Sequence, residues 1–291
     1  MKPGAPTFRF APSPNGRLHL GHAYSALLNA DLADRMGGLC RLRIEDIDPK
    51  RSKPDLVAAI LTDLAWLGLT YPAPVRHQSR HMGSYRAALD GLIARGLAYP
   101  CFCSRGQIRA RVAGGGESPC DPDGVPLYPG TCRSLEATRV ADRLASGEPH
   151  TWRLDMGAAL GAALRGAGHP LGYVAFAEAG ERWVAAEPAR WGDAVIARRD
   201  VPTSYHLAVV HDDAAEGITH VVRGRDLEAA TDLHVLLQHL LGLPVPRYRH
   251  HRLLLDTAGE KLAKSRGSQT LADLREAGVT PGQIRARLGF A

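Results

Sequence analysis

Two histidines three residues apart, His19 and His22, and two lysines also three apart, Lys261 and Lys264, are the residue pairs of this chain best suited to hold phosphate. Phe8-Arg9-Phe10 reads as the end of a strand, and Pro12, Pro14 and Gly16 then force a turn because their backbone angles are locked or unusually free. Ala23, Ala26, Leu27, Ala30, Leu32 and Ala33 recur at helical spacing until Gly37-Gly38 stops them. His19 and His22 therefore open a helix with both rings on one face, beside free backbone N–H groups and the positive end of the dipole, a setting that favours an anion. In isolation a His-x-x-His pair is more often a surface or capping pair, and Lys261-x-x-Lys264-Ser265 more often a solvated loop.

A second chemistry lies between Tyr99 and Cys132, where four cysteines fall within 34 positions. Cys101 and Cys103, close together on one strand, can grip one cation, because thiolates prefer tetrahedral Zn²⁺ with short bonds. Zinc is the leading reading and a set of reduced thiols, as at Cys40, is the alternative. Five cysteines with no signal peptide before them imply reduced thiols in cytoplasm. No apolar run reaches membrane-spanning length, which argues against a bilayer role.

These groups need a frame, and 291 residues with a formal charge of +6 can bury a real core while leaving a basic surplus for an anionic partner. Leu39 to Ile44 reads as a second strand, with Leu42 and Ile44 on one side and Arg41 and Arg43 on the other. Glu45 follows at its C-terminal end, the edge of an open parallel sheet where ligands bind. Helices are expected from Lys53 to Leu67 and from Ser79 to Arg95, ended by Gly68 and Gly96. Strand, helix, strand, helix argues for an α/β fold with a doubly wound parallel sheet of Rossmann type. Tyr71 to Arg80, with Gln78-Ser79, is expected to line the site. Glu148 to Leu154 reads as a linker entering a strand, and Gly157 to Gly168 as a soft Ala/Gly insertion. Gly192 to Asp200 and Pro202 to Asp213 read as strand-like apolar runs. Ile218 to Arg223 follows as a strand, Leu227 to Leu241 as a helix and Arg249 to Leu255 as a strand, with short helices at Leu271 to Ala277 and Gln283 to Leu288. The expected division is a first half-sheet at 1–98, an insertion at 99–190, a second half-sheet at 191–265 and a short helical segment at 266–291.

The stretch Arg-Phe-Ala-Pro-Ser-Pro-Asn-Gly-Arg-Leu-His-Leu-Gly-His resembles the first signature of class I aminoacyl-tRNA synthetases, in its glutamate-specific form, with Leu20 in place of the usual Ile. Glu260-Lys261-Leu262-Ala263-Lys264-Ser265 resembles the second signature, departing from it at Leu262 and Ala263. The resemblance implies ATP over the first turn, at Gly21, His22 and Lys264, with His19, His22, Lys261, Lys264 and the Mg²⁺ carried by ATP stabilising charge on phosphate oxygens. It also implies a glutamate pocket at Arg9, Phe10, Ala11, Pro12, Ser13, Glu45, Tyr205 and Arg223. Glutamate has two carboxylates and one ammonium, and the chain supplies matching groups. Arg9 and Arg223 can fork onto carboxylates, Tyr205 can donate, and Glu45 and Ser13 can take the ammonium.

Only 26 residues follow Ser265, fewer than the roughly 50 an independent domain needs, so no anticodon-binding domain is expected. Over nearly its whole length the chain resembles truncated glutamyl-tRNA synthetase paralogues that place glutamate on queuosine in the anticodon of tRNA(Asp). Relatives of that kind hold zinc through Cys-x-Cys and Tyr-x-x-x-Cys, which Cys101, Cys103, Tyr128 and Cys132 match; Cys120 stays open as a rival fourth ligand. The expected partners are ATP, L-glutamate and queuosine-containing tRNA(Asp), with the chain a cytoplasmic monomer carrying one structural Zn²⁺. Three readings remain beside it: a compact glutamyl-tRNA synthetase charging the 3′ end, a glutamate-adenylating ligase without tRNA, and an inactive RNA-binding protein.

Overall fold

The computed structural model describes residues 4–113, 119–167, 170–255 and 269–290. In chain order these form β1 (Thr7–Phe10), α1 (Leu20–Arg35), β2 (Leu39–Ile44), α2 (Pro54–Trp66), β3 (Arg76–His77), α3 (Met82–Ala94), β4 (Ala98–Cys101) and α4 (Arg105–Ala113). Next come α5 (Ala137–Ala145), β5 (Thr151–Leu154), α6 (Met156–Ala167), β6 (Gly172–Ala177), β7 (Gly180–Ala185) and β8 (Val195–Ala197). The remainder is α7 (Tyr205–Ala215), β9 (His220–Gly224), α8 (Ala230–Leu241), β10 (Arg247–His251), α9 (Leu271–Glu276) and α10 (Pro281–Leu288).

The central layer is parallel, as the alternation of elements implied. β1, β2 and β3 run in that order, and β9, β10 and β6 form a second parallel set whose outer edge, β7, is antiparallel. The two sets abut at β1 and β9, where the Thr219 N–H donates to the Thr7 carbonyl at 2.9 Å and the Thr7 N–H donates to Thr219 Oγ1 at 2.8 Å. Helices cover both faces. One apolar core joins Phe10, Leu20, Leu27, Ile44, Ile60 and Leu64, and another joins Leu89, Val209, Val221, Leu236 and Tyr248. β4, β5 and β8 make a separate antiparallel sheet in the middle of the chain.

The structure corrects several expectations. Residues 205–213 are not strand-like: Tyr205 to Ala215 is the helix α7, whose Ser204 hydroxyl accepts from the Leu207 N–H. Leu207, Ala208, Val209 and Val210 are all buried, as are Asp212 and Asp213, so the helix is enclosed on every side and shows no amphipathic period; its valines mimic a core strand. The Ala/Gly segment is the helix α6, started where the Met156 N–H donates to Asp193 Oδ1 at 3.0 Å and the Ala158 N–H to Asp155 Oδ1 at 3.0 Å. The helix read from Leu227 begins at Ala230, after a tight turn at Arg225–Leu227, and the last strand runs from Arg247 to His251, not from Arg249 to Leu255.

β2 carries a further departure. Its arginine side is dry at Arg43, which is fully buried, because β2 sits inside the parallel layer with both faces covered.

Candidate active site

A cavity of about 1040 Å³ opens at the C-terminal ends of β1, β2 and β9, against the N-terminus of α1. Every residue expected to touch glutamate lines it: Arg9, Phe10, Ala11, Pro12, Ser13, Glu45, Tyr205 and Arg223. His19, Gly21 and His22 line it as well. Lys261, Lys264 and Ser265 lie outside the described residues. The Tyr71–Arg80 segment does not reach the cavity. Gln78 instead donates to Asp212 Oδ2 at 2.9 Å, and Ser79 caps Asp46 through its N–H and hydroxyl, each at 2.8 Å.

The two histidines close the start of α1 on each other. His19, in extended backbone at the N-cap, accepts the Gly21 N–H through Nδ1 at 3.1 Å, and His22 Nδ1 accepts the His19 N–H at 3.2 Å. Their ring centroids are 3.9 Å apart. First-turn amides are thus not free as the sequence reading supposed; the Gly21 N–H goes to a ring, and those of His22 and Ala23 go to the His19 carbonyl. Because both Nδ1 atoms accept, each neutral ring carries its hydrogen on Nε2, so the imidazoles rather than the amides supply donors here. C-terminal residues pack directly beside this helix start, where Thr270 pairs with His19. The Leu271 N–H donates to the Leu18 carbonyl at 2.8 Å, and Thr270 and Asp273 reach the cavity from the capping box of α9.

Arg9 and Glu45 stand on a buried ion network that local sequence gave no sign of. Arg9 Nε pairs with Asp213 Oδ1 at 3.0 Å. Arg43 reaches Asp213 at 2.8 Å, Glu45 at 3.1 Å and Glu216 at 3.1 Å. Burial would raise the Asp213 carboxyl, but the Arg9 and Arg43 charges outweigh it and hold it below the usual carboxylate range. At Glu45 and Glu216 burial wins over the guanidinium groups, and both carboxyls are raised. Tyr205 keeps its phenolic hydrogen, since burial raises its pKa.

Arg223 is held by neutral groups instead. Its Nη1 lies 3.1 Å from His234 Nδ1 and its Nη2 donates to Thr231 Oγ1 at 2.8 Å, while His206 Nδ1 sits 3.1 Å from His234 Nε2 and His250 Nε2 3.0 Å from Thr231 Oγ1. Burial, aided by the Arg223 charge, lowers His206 to about 4 and His250 to about 3, and holds His234 well below its ordinary value. None of these partners carried a sequence signal, because α8 is enclosed all round.

Acid should expose these burials. A histidine whose folded pKa is depressed contributes stability fully above its unfolded value, 6.5, and loses it as pH falls towards the folded value, about 4 for His206 and about 3 for His250. For His206 the span is on the order of 3 kcal/mol. Asp212 adds a lower window. Burial opposes its charge, but His211, Arg43, Tyr85 and Gln78 hold it at about 2, so its contribution persists above the unfolded 3.8 and disappears as pH drops through about 2. The raised Glu45 and Glu216 carboxyls gain stability as pH falls towards 4.5 and oppose the histidines there, so the decisive window is from about pH 4.5 to about 2, where urea midpoints should fall; a flat profile in that window contradicts this account.

In the central antiparallel region, the Cys101, Cys103 and Cys132 sulfurs lie within 4.8 Å of one another. The Cys103–Cys132 separation is 3.6 Å, close to the ~3.8 Å expected between two thiolates on one tetrahedral Zn²⁺. The Tyr128 hydroxyl is 3.5 Å from Cys103 Sγ and accepts the Cys132 N–H at 2.9 Å. Cys120 is exposed and lies outside this sulfur cluster. The three thiols fit a thiophilic cation, and the Tyr128 hydroxyl lies beside them.

Comparison with known proteins agrees with this geometry. Residues 7–289 match the family model for class I tRNA synthetases (E and Q), catalytic domain. The chain belongs to that family. It is 45% identical over 290 residues to a glutamyl-Q tRNA(Asp) synthetase of Rhodobacter capsulatus, covering 97% of this class I chain and 99% of the relative. A glutamyl-Q tRNA(Asp) synthetase of Symbiobacterium thermophilum is 40% identical, with 97% and 85% covered. Among solved structures, a glutamate tRNA ligase from Elizabethkingia meningosepticum in complex with its amino acid superposes with a TM-score of 0.70 at 28% identity. The match covers 94% of this chain and 53% of that one, so the chain spans about half of the solved ligase. The resemblance, the fold class and the ligase family read from the sequence are all borne out. Among the described residues no helix is long and apolar enough to cross a membrane.

Proposed function

We propose that this chain activates L-glutamate with ATP and transfers the glutamyl group to queuosine at the anticodon wobble position of tRNA(Asp), as a cytoplasmic monomer. The observation that carries the reading is that one cleft holds both the His19–His22 helix start and the Arg9, Ser13, Glu45, Tyr205 and Arg223 set. The glutamyl-Q relatives support the choice of acceptor.

Arg9 and Arg223 take the two carboxylates, Glu45 and Ser13 the ammonium, and Tyr205 donates to a carboxylate oxygen. A glutamate carboxylate oxygen then bonds to the α-phosphorus of ATP while the bond to the bridging oxygen breaks, and that electron pair leaves with pyrophosphate. No side chain becomes covalently attached. His19 and His22 donate from Nε2 to phosphate oxygens, and Lys261 and Lys264 are assigned the same task from the other signature. Mg²⁺ bound to ATP adds positive charge at the phosphates. In the second step a queuosine hydroxyl oxygen bonds to the acyl carbon while the bond from that carbon to the phosphate oxygen breaks, and AMP leaves with that electron pair as the hydroxyl proton passes to a phosphate oxygen or to water. Residues 1–98 and 191–265 serve as the halves of the nucleotide-binding unit in this reading, and 99–190 meets the unstacked anticodon loop. Cys101, Cys103, Cys132 and Tyr128 would hold a Zn²⁺, which would serve as a structural tie because four protein ligands would leave no position for a reacting water.

The test is incubation with ATP, labelled glutamate and tRNA(Asp) with and without queuosine. Label should appear only on the queuosine-containing tRNA and map to nucleoside 34. Label at the 3′ terminus selects a 3′-charging glutamyl-tRNA synthetase, the activity named for the Nitrosococcus oceani glutamate–tRNA ligase 2 that is 38% identical to this chain. No label on any tRNA rejects transfer altogether.

Gly21→Ala probes the helix start. A Cβ there would stand 3.0 Å from His19 Cε1 and 3.1 Å from Nδ1, so the imidazole must shift by a few tenths of an ångström and its bond to the residue 21 N–H is strained. Glutamate-dependent pyrophosphate exchange should slow by about 10- to 100-fold. An unchanged rate removes the imidazoles from the mechanism.

A further inference from the structure

The two arginines assigned to glutamate are held in chemically opposite ways. Arg9 leans on a carboxylate, Asp213, which shares its charge. Arg223 leans on an imidazole and a hydroxyl, which fix the guanidinium without neutralising it.

The hydrogen bonds also fix the tautomers. An arginine N–H can only donate, so His234 Nδ1 accepts and its hydrogen sits on Nε2, which then donates to His206 Nδ1. His234 is thus clamped between a donor it must accept from and an acceptor it must donate to. Thr231 fixes the second Nη at 2.8 Å, and the Arg223 carbon lies 5.4 Å from the centre of the Tyr248 ring. Arg223 is only 5% exposed, and its Nε is buried with no protein partner among the described residues. Two of its five N–H groups are committed to the fold, and Nε is among those that are not.

We propose that His234, oriented by His206, and Thr231 are positioning residues: they set the plane of the Arg223 guanidinium as an uncompensated fork for a substrate carboxylate. The proposal rests on the glutamate reading given above. It separates Arg223 from Arg9 in role, because a guanidinium held by neutral acceptors keeps its full attraction for an incoming carboxylate, whereas one paired to an aspartate must share it.

Glutamate-dependent pyrophosphate exchange by the full chain tests it. His234→Leu removes the acceptor and should raise KM for glutamate about 10- to 100-fold, the effect of one lost hydrogen bond to a charged group. KM for ATP and kcat should stay within about threefold. His234→Asn, whose Oδ1 falls near the place of the imidazole Nδ1, should recover most of the loss, which a purely packing role for the ring does not predict. Thr231→Val, nearly isosteric, should raise the same KM in the same selective way, and it carries the test if His234→Leu is too unstable to assay. Unchanged KM in the assayable variants, or equal loss for ATP and glutamate with no recovery in His234→Asn, overturns the positioning role while leaving the glutamate site intact. A wild-type chain that shows no glutamate-dependent exchange rejects the underlying reading instead.

Discussion

Arg43→Leu is expected to destabilise the fold by about 3–5 kcal/mol, the loss that follows when one partner of a buried ion cluster is removed and its counter-ions stay behind. Arg43 is fully buried and touches Asp213, Glu45 and Glu216, so the substitution leaves three enclosed carboxylates facing Arg9 alone. In a domain of this size that corresponds to a fall in thermal midpoint of roughly 10 °C. Calorimetry or circular dichroism reads it directly, and a change under about 2 °C means that the network contributes little. Glu216→Gln is the informative companion. Burial already raises the Glu216 carboxyl, so neutralising it should be far milder than removing the cation.

The second large effect concerns recognition. Arg223→Lys keeps a positive charge but gives up the planar fork and, with it, the simultaneous contacts to His234 and Thr231. KM for glutamate should rise on the order of 10²- to 10³-fold, as for truncation of a buried, hydrogen-bonded charge contact. The thermal midpoint should move little in comparison, since the groups left behind at His234 and Thr231 are neutral. A rise under about tenfold would move carboxylate recognition away from Arg223.

Some of this was legible in the sequence, for a physical reason. The α1 start is written in consecutive residues: prolines and Gly16 fix the turn, and the next apolar residues fix the helix. The cleft-lining residues Arg9, Glu45 and Arg223 sit at strand ends, and the resemblance of the motifs around them to the family's signatures is what singled them out. The residues that hold them could not be read in the same manner. Asp213 lies 204 positions from Arg9, and Arg43 lies on a strand whose alternation gives no sign that both faces are covered. α7 was mistaken for strand because a helix enclosed on every side has no polar stripe to mark its period, and α8, which supplies Thr231 and His234, hides its polar residues in the same surroundings. Local motifs thus exposed the groups that line the cleft and hid those that meet each other.

The charge inventory around the cleft balances only once all of its guanidinium groups are counted. Two guanidinium groups, Arg9 and Arg43, answer three carboxylates, Glu45, Asp213 and Glu216, and burial has raised Glu45 and Glu216. Arg223, held by neutral groups at the same cleft, is the third guanidinium, so the fold already sets three positive charges against three negative ones. Arg9 and Arg43 are matched inside the network, and the positive charge of Arg223 is the part of the balance left facing the cleft.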